Sequence, residues 1–316
     1  MRMRPTVSWT PTGDLPPATT DLEPVVGALR TGRVLVLSGA GISTESGIPD
    51  YRGEGGSLSR HTPMTYQDFT GGVSARRRYW ARSHLGWRTF GRALPNDGHR
   101  AVAAFGRRGL LGGVITQNVD GLHQAAGSDG VVELHGSLDR VVCLTCGDTS
   151  ARRALAERLE EANPGFDPVP AAINPDGDAD LTDEQAGDFH VVPCGVCGGV
   201  LKPDVVFFGE TVPAERVERC RALVRGAASV LVLGSSLTVM SGLRFVRQAA
   251  DAGTPVVIVN RDPTRGDKLA DVRVSLPLGK TLTAVAGRLG VPLDGEASGK
   301  GDGGGREPGG AGGVAG

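Results

Sequence analysis

Five short apolar runs punctuate the chain, at 33–38 (RVLVLS), 113–116 (GVIT), 131–134 (VVEL), 229–233 (SVLVL) and 255–260 (PVVIVN). A strand with one face in water alternates apolar and polar residues, whereas runs without strict alternation suit strands covered on both faces, as in a parallel sheet. Between these runs the spacing predicts helices over 21–31, 99–108, 213–226 and 241–252. Pro213 suits the first turn of the third helix and Gly226 its stop. The expected fold class is α/β, a doubly wound parallel sheet. The stretch 140–205 breaks the alternation with a helix-like run at 151–162 and a Pro/Gly/Asp-rich segment at 163–188 that reads as a long loop. The expected division is a large domain from 21–139 and 205–293, with a small inserted module at 140–204.

Composition adds the ends. Residues 299–316 hold ten glycines and no apolar periodicity, and such a segment cannot bury enough surface to offset its ordering entropy. Disordered tails are expected over 1–20 and 294–316. The 316 residues are ample for a buried core. Basic and acidic residues balance, 34 against 35, so no global field draws in nucleic acid or an anionic membrane. No run approaches the roughly 20 apolar residues of a membrane span. The N-terminus lacks the apolar core of a signal peptide. A cytoplasmic protein is expected, and without a heptad pattern, a monomer.

Four of the five cysteines form two C-x-x-C pairs, Cys143/Cys146 and Cys194/Cys197. In a chain without a secretion signal this pattern reads as a metal site, with a redox dithiol as the alternative. Four thiolates close a tetrahedral sphere, so one Zn²⁺ bound here has a structural role. The 47 residues between the pairs exceed the usual 15–20 of a zinc ribbon, and the surplus matches the long loop. Cys220, in a helical run, reads as a small buried residue.

The first strand runs into Ser38-Gly39-Ala40-Gly41-Ile42-Ser43-Thr44. Glycines just past a strand let a backbone approach a pyrophosphate at a helix start, the Rossmann-like arrangement. A tight structural turn is the alternative, because Thr44 stands where the G-x-G-x-x-G fingerprint has its third glycine. Polar clusters also follow the next strands, at Gln117-Asn118-Val119-Asp120-Gly121-Leu122-His123 and at Glu133-Leu134-His135-Gly136. This is the ligand edge of a parallel sheet, although Asn118 and Asp120 equally suit turns and caps. Spacing does not rank His123 against His135.

Together these blocks resemble the sirtuins, the NAD-dependent protein deacylases. The match runs in order through GAGIS, GIPDYRG, TQNVDGLH, ELHG, both C-x-x-C pairs, KPDVVFFGE at 202–210, Gly234-Ser235-Ser236 and Ile258-Val259-Asn260, over about 25–285. Within the family the chain is most similar to class II, in the branch of the mitochondrial lipoamidase and ADP-ribosyltransferase. The signs are 78–82 (RYWAR), 174–178 (NPDGD) and 234–242 (GSSLTVMSG).

The resemblance implies roles. Gly39, Ala40 and Gly41 would hold the pyrophosphate of NAD, a consumed co-substrate, with Ser43 beside them, and Asp50, Tyr51 and Arg52 would belong to a flexible loop that closes over the nicotinamide ribose. Gln117, Asn118, Val119 and Asp120 would line the ribose and nicotinamide pocket. Gly234, Ser235 and Ser236 would form the second phosphate and ribose contact, with Asn260, Arg261, Asp262 and Leu278 at the adenosine end. His135 matches the catalytic histidine, acting with Asn118, while His123 matches a position without a catalytic role. The implied reaction transfers an acyl group from a modified lysine of a protein substrate to ADP-ribose and releases nicotinamide, with His135 as general base on a ribose hydroxyl. ADP-ribosyl transfer to protein is the alternative that uses the same NAD site. Val205, Val206, Phe207, Phe208, Gly209 and Glu210 would pair with the substrate backbone as an added strand. Tyr79 and Arg82 resemble a pair that reads carboxylate-bearing acyl groups, unless Arg82 is simply a solvated helix-surface residue.

Overall fold

The computed structural model describes residues 9, 14–52, 63–170, 172 and 174–293. The tail expected at 294–316 lies outside the described residues, as does most of that at 1–20. Seven parallel strands form the main sheet: β1 (Ala18–Thr19), β2 (Val34–Ser38), β3 (Leu111–Thr116), β4 (Val132–Glu133), β8 (Ser229–Leu233), β9 (Val256–Val259) and β10 (Val272–Val274), in the order β1-β10-β9-β8-β2-β3-β4. Side chains of a strand alternate between faces, and here both faces are dry. Val34 and Val36 pack with helices α1 (Glu23–Thr31), α4 (Asp97–Arg107) and α9 (Leu278–Leu289). Leu35 and Leu37 pack with α7 (Ala214–Gly226) and α8 (Met240–Asp251) on the other side, where Cys220 is buried. That two-sided burial is why the strands read as continuous apolar runs.

The five expected strands and four expected helices lie within two residues of those observed. Two expectations change. Ala18 and Thr19, placed in the N-terminal tail, form the sheet edge by pairing with Arg273 and Val274. The inserted module is also larger than 140–204. Its antiparallel sheet, in the order β6-β5-β7, comprises β5 (Gly136–Cys143), β6 (Thr149–Ala151) and β7 (Leu201–Val205), so it starts at Gly136. Its core also takes in Phe69 from α2 (Tyr66–Gly71) and Tyr79, Trp80 and Leu85 from α3 (Val73–Phe90). These helices precede the module by some fifty residues, yet only there does their apolar face find a partner. Arg152, 1% exposed at the start of α6 (Arg152–Ala162), locks the join by stacking on Trp80 and Trp87 and donating to the Ser83 carbonyl. Among the described residues, 163–188 holds no helix or named strand, as expected of a long loop.

Candidate active site

Strand β2 lies between β3 and β8, where the strand order reverses, so the loops leaving these strands part and leave a crevice at their carboxyl ends. In the loop after β2, Gly39 N–H donates to the Leu233 carbonyl and Gly41 N–H to the Gly234 carbonyl. A Cβ on Gly41 would stand 2.8 Å from the Gly234 oxygen, and one on Gly39 2.9 Å from it. Both glycines therefore exist because two site-forming loops touch. The absent third glycine also has a reason. Thr44 opens a 3-10 turn and donates its hydroxyl to the Gly41 carbonyl, so no long helix begins there to need close strand contact.

The polar residues after β3 are fixed by the same loop. Asn118 Nδ2 donates to the Gly39 carbonyl at 3.1 Å and to Ser43 Oγ at 3.0 Å, and Ser43 donates to Asp120 at 2.7 Å. Burial raises the Asp120 carboxyl above its ordinary value, partly offset by the Leu122 amide and the Ser43 hydroxyl. Gln117 Nε2 spans to the Ser38 carbonyl and, at 2.7 Å, to Ser235 Oγ.

The structure separates the two histidines that spacing left unranked. His123, 1% exposed, bonds Ser38 inside the core. His135 lines the crevice, with Nδ1 2.8 Å from the Gln117 carbonyl and Nε2 2.8 Å from Ser241 Oγ. A carbonyl only accepts, so Nδ1 carries the proton and the lone pair sits on Nε2. Burial lowers the imidazole to about 4; the Gln117 bond opposes this, and Arg216 and Arg244 add to it. His135 is a neutral base at physiological pH. Sequence reasoning gave Ser241 no role; its place in the 234–242 block was the available signal.

These groups wall a cleft of about 800 Å³. Gly39, Ala40, Gly41, Ser43, Asp50, Tyr51 and Arg52 line it, as do 117–120, Gly234, Ser235, Ser236, Asn260 and Asp262. Tyr79, His135 and all of 205–210 complete the sequence-derived set. Three residues from that set stand elsewhere. Leu278 is buried in the core at the start of α9, against Gly234, and so supports the loop from below. Arg261 is exposed and absent from the wall, its carbonyl accepting from Ser275. Arg82 lines an adjoining cavity of about 220 Å³ with Arg78, Asp178 and Asp183, which shares Pro63, Met64 and Asp178 with the cleft, and it donates to the Leu181 carbonyl. The loop around 178–183 takes this guanidinium, so Tyr79 lines the cleft and Arg82 does not.

The 205–210 segment also differs from a free strand edge. Lys202, 3% exposed, donates to the Val205 carbonyl and pairs with Glu210 at 3.2 Å. Glu210 accepts from Phe207 N–H, Val206 N–H donates to the His135 carbonyl, and the Phe208 carbonyl accepts from Tyr66 N–H. Much of the segment's backbone is spent holding its own shape, and Glu210 positions it.

At the far end of the small module the four cysteine sulfurs lie within 4.8 Å of one another, with Cys143–Cys197 at 3.6 Å and Cys146–Cys194 at 3.9 Å. Four sulfurs each about 2.3 Å from a central zinc stand about 3.8 Å apart. The donor set fits one structural zinc.

Beneath the crevice, His99 and His123 stack edge to face at 5.1 Å, and burial lowers them to about 3 and about 4. An unfolded imidazole titrates near 6.5, so below that pH the unfolded chain binds protons that the folded chain refuses. Their stabilising contribution is complete above pH 6.5 and is lost as pH falls toward 4. With His135, which burial also lowers to about 4, the expected slope near pH 5 is about 4 kcal/mol per pH unit for the three. Urea midpoints at pH 7, 6 and 5 measure it, and His123→Gln should reduce the slope by about a third; an unchanged slope would refute the assignment.

The Sir2 family model matches residues 39–241, which span the crevice loops after β2, β3 and β8, His135 and all four cysteines. The chain belongs to the Sir2 family. It is 82% identical over 291 residues to "NAD-dependent protein deacetylase 1" of Streptomyces coelicolor, covering 92% of this chain and 97% of the relative. It is 52% identical over 270 residues to the protein so named in Mycobacterium avium, covering 84% and 94%. Among solved structures it resembles "Sir2-p53 peptide-NAD+", at 28% identity and a TM-score of 0.67 over 86% of this chain and all of that one. A second, "Sir2 bound to acetylated peptide", gives 27% and 0.66 with the same coverage. This Sir2-family chain is an NAD-dependent protein deacetylase. ADP-ribosyl transfer as the main activity is not favoured.

Proposed function

We propose that the cleft binds NAD across the loops after β2, β3, β8 and β9, and an acetylated lysine against Tyr51, Tyr79, Phe207 and Phe208, with His135 as the base. The observation that carries this reading is the geometry of His135, whose only lone pair, on Nε2, is presented at the cleft wall. Bound NAD supplies a ribose carbon activated by its nicotinamide leaving group. The chain supplies position and proton transfer. Ala40, Ser235 and Ser236 stand where the loops after β2 and β8 meet, a seam suited to phosphates. Asn118 and Asp120, tied together through Ser43, form a rigid wall beside them. His135 is the final base for the deprotonation of the ribose hydroxyl, and its Nδ1–H on the Gln117 carbonyl steadies the imidazolium that results.

The substrate's backbone binds beside the preformed 205–210 segment, shaped by Lys202 and Glu210. For the acyl group we propose acetyl and longer uncharged chains. The apolar and aromatic wall suits them, Arg82 is turned to the other cavity, and Asp176 and Asp178 add only negative or neutral groups to this wall. The test is mass spectrometry of the purified protein with NAD and acetyl-, lipoyl-, succinyl- and glutaryl-lysine peptides. Free lysine, nicotinamide and O-acyl-ADP-ribose in equal amounts are expected from acetyl and lipoyl peptides, with succinyl and glutaryl at least about tenfold slower, since a carboxylate set against Tyr79, Phe207 and Phe208 loses its water and meets Asp176 and Asp178. Efficient desuccinylation would overturn the acyl assignment. ADP-ribose attached to protein, without deacylation, would overturn the reaction.

A further inference from the structure

We propose that Ser241 is a proton relay: it takes the proton from the ribose hydroxyl and passes its own to His135 Nε2. The inference rests on His135 being the base. Nδ1–H is committed to the Gln117 carbonyl, so the one lone pair of the ring faces Ser241 Oγ at 2.8 Å. With no hydrogen on Nε2, the serine must donate. The base therefore already holds a hydroxyl, and that hydroxyl belongs to a half-buried residue of the cleft wall.

The contact is built in. Ser241 is the second residue of α8, and the next residue, Gly242, lets the helix press on Gln117: a Cβ there would stand 2.6 Å from Gln117 Oε1. Gln117 is itself held by Ser38 and Ser235. The helix start, Gln117 and the imidazole thus form one block in which Ser241 has little room to withdraw. The other serines of the wall have other partners: Ser43 donates to Asp120, Ser235 accepts from Gln117 Nε2 and Ser236 accepts from the Thr238 hydroxyl.

In the step, the ribose O–H bond breaks as a new Oγ–H bond forms, and the proton previously on Oγ moves to Nε2. The imidazolium keeps its Nδ1–H on Gln117, and the electron pair left on the ribose oxygen forms the bond to the acyl carbon. Two protons move and none is gained or lost.

The test compares the wild type with Ser241→Ala, Ser241→Thr and His135→Ala. Ser241→Ala should lower kcat for an acetyl peptide at least about tenfold, while exchange of labelled nicotinamide, which precedes the base step, stays within about threefold. Ser241→Thr restores kcat. The proton inventory in mixed H₂O and D₂O is curved for the wild type and linear for Ser241→Ala. In the protein without NAD, the NMR titration of His135 moves in Ser241→Ala and returns in Ser241→Thr. An alanine variant as fast as the wild type, or faster, would mean that the hydroxyl merely covers Nε2, and the relay is wrong. Equal losses of exchange and turnover, or an unmoved titration, would also sink it. Full activity in His135→Ala would instead remove the base assignment beneath it.

Discussion

His135→Ala should lower the turnover of an acetyl-lysine peptide by about 10²- to 10⁴-fold, the range for loss of a positioned general base, while NAD binding changes little. The ring touches the rest of the protein through the Gln117 carbonyl and Ser241, and neither group depends on the imidazole for its place. Gln117 is held by Ser38 and Ser235, and Ser241 by its helix. Isothermal titration with NAD and steady-state assays on one preparation separate the two effects. A variant that loses NAD binding in proportion to turnover would show that His135 is structural. In the wild type the base is already neutral at pH 7 because burial holds it near 4. The acid limb of kcat/KM should therefore fall well below pH 6.5, with activity lost as pH falls and Nε2 is protonated.

Removing zinc should be nearly as damaging by a different route. One zinc per chain is expected by atomic absorption. Structural zinc contributes on the order of 10–16 kcal/mol, as much as a whole domain's stability of about 5–15 kcal/mol, so Cys194→Ser or a strong chelator should unfold the small module. The main sheet should survive, since its two core clusters contain no residue from 136–205. Activity should not. The cysteine cluster and the cleft sit at opposite ends of one ladder: β5 runs from Gly136, next to His135, to Cys143, and its partner β7 ends at Val205, where the substrate segment begins. Loss of peptide turnover with NAD affinity kept within a few-fold is the expected pattern. A zinc-free protein that still deacetylates at the normal rate would contradict it.

Five sheet strands were legible because burial on both faces leaves a local run of four to six residues with few polar interruptions. The ligand edge was legible for a related reason, since the residues that line the cleft include those directly after β2, β3, β8 and β9. β1 and β10, of two and three residues, were not. Strands that short carry too few residues for a pattern, and the pairing of β1 with β10 is a long-range event. Helix α3, with Arg76, Arg77, Arg78, Arg82 and Arg88, reads as a charged surface until Arg152 is seen stacked on its tryptophans.

By itself the sequence determined the fold class, the four metal ligands and more than half of the residues that line the cleft, because burial periodicity, C-x-x-C spacing and the ordered motifs are local in the chain. Tertiary structure decided which histidine faces the cleft, on which nitrogen its lone pair sits, and that Ser241, more than a hundred residues away, meets it. It also turned Arg82 away from Tyr79's cleft and spent Glu210 on Lys202. Those outcomes depend on side-chain direction and on which distant carbonyl claims a donor first, and such competition is settled only when the elements pack.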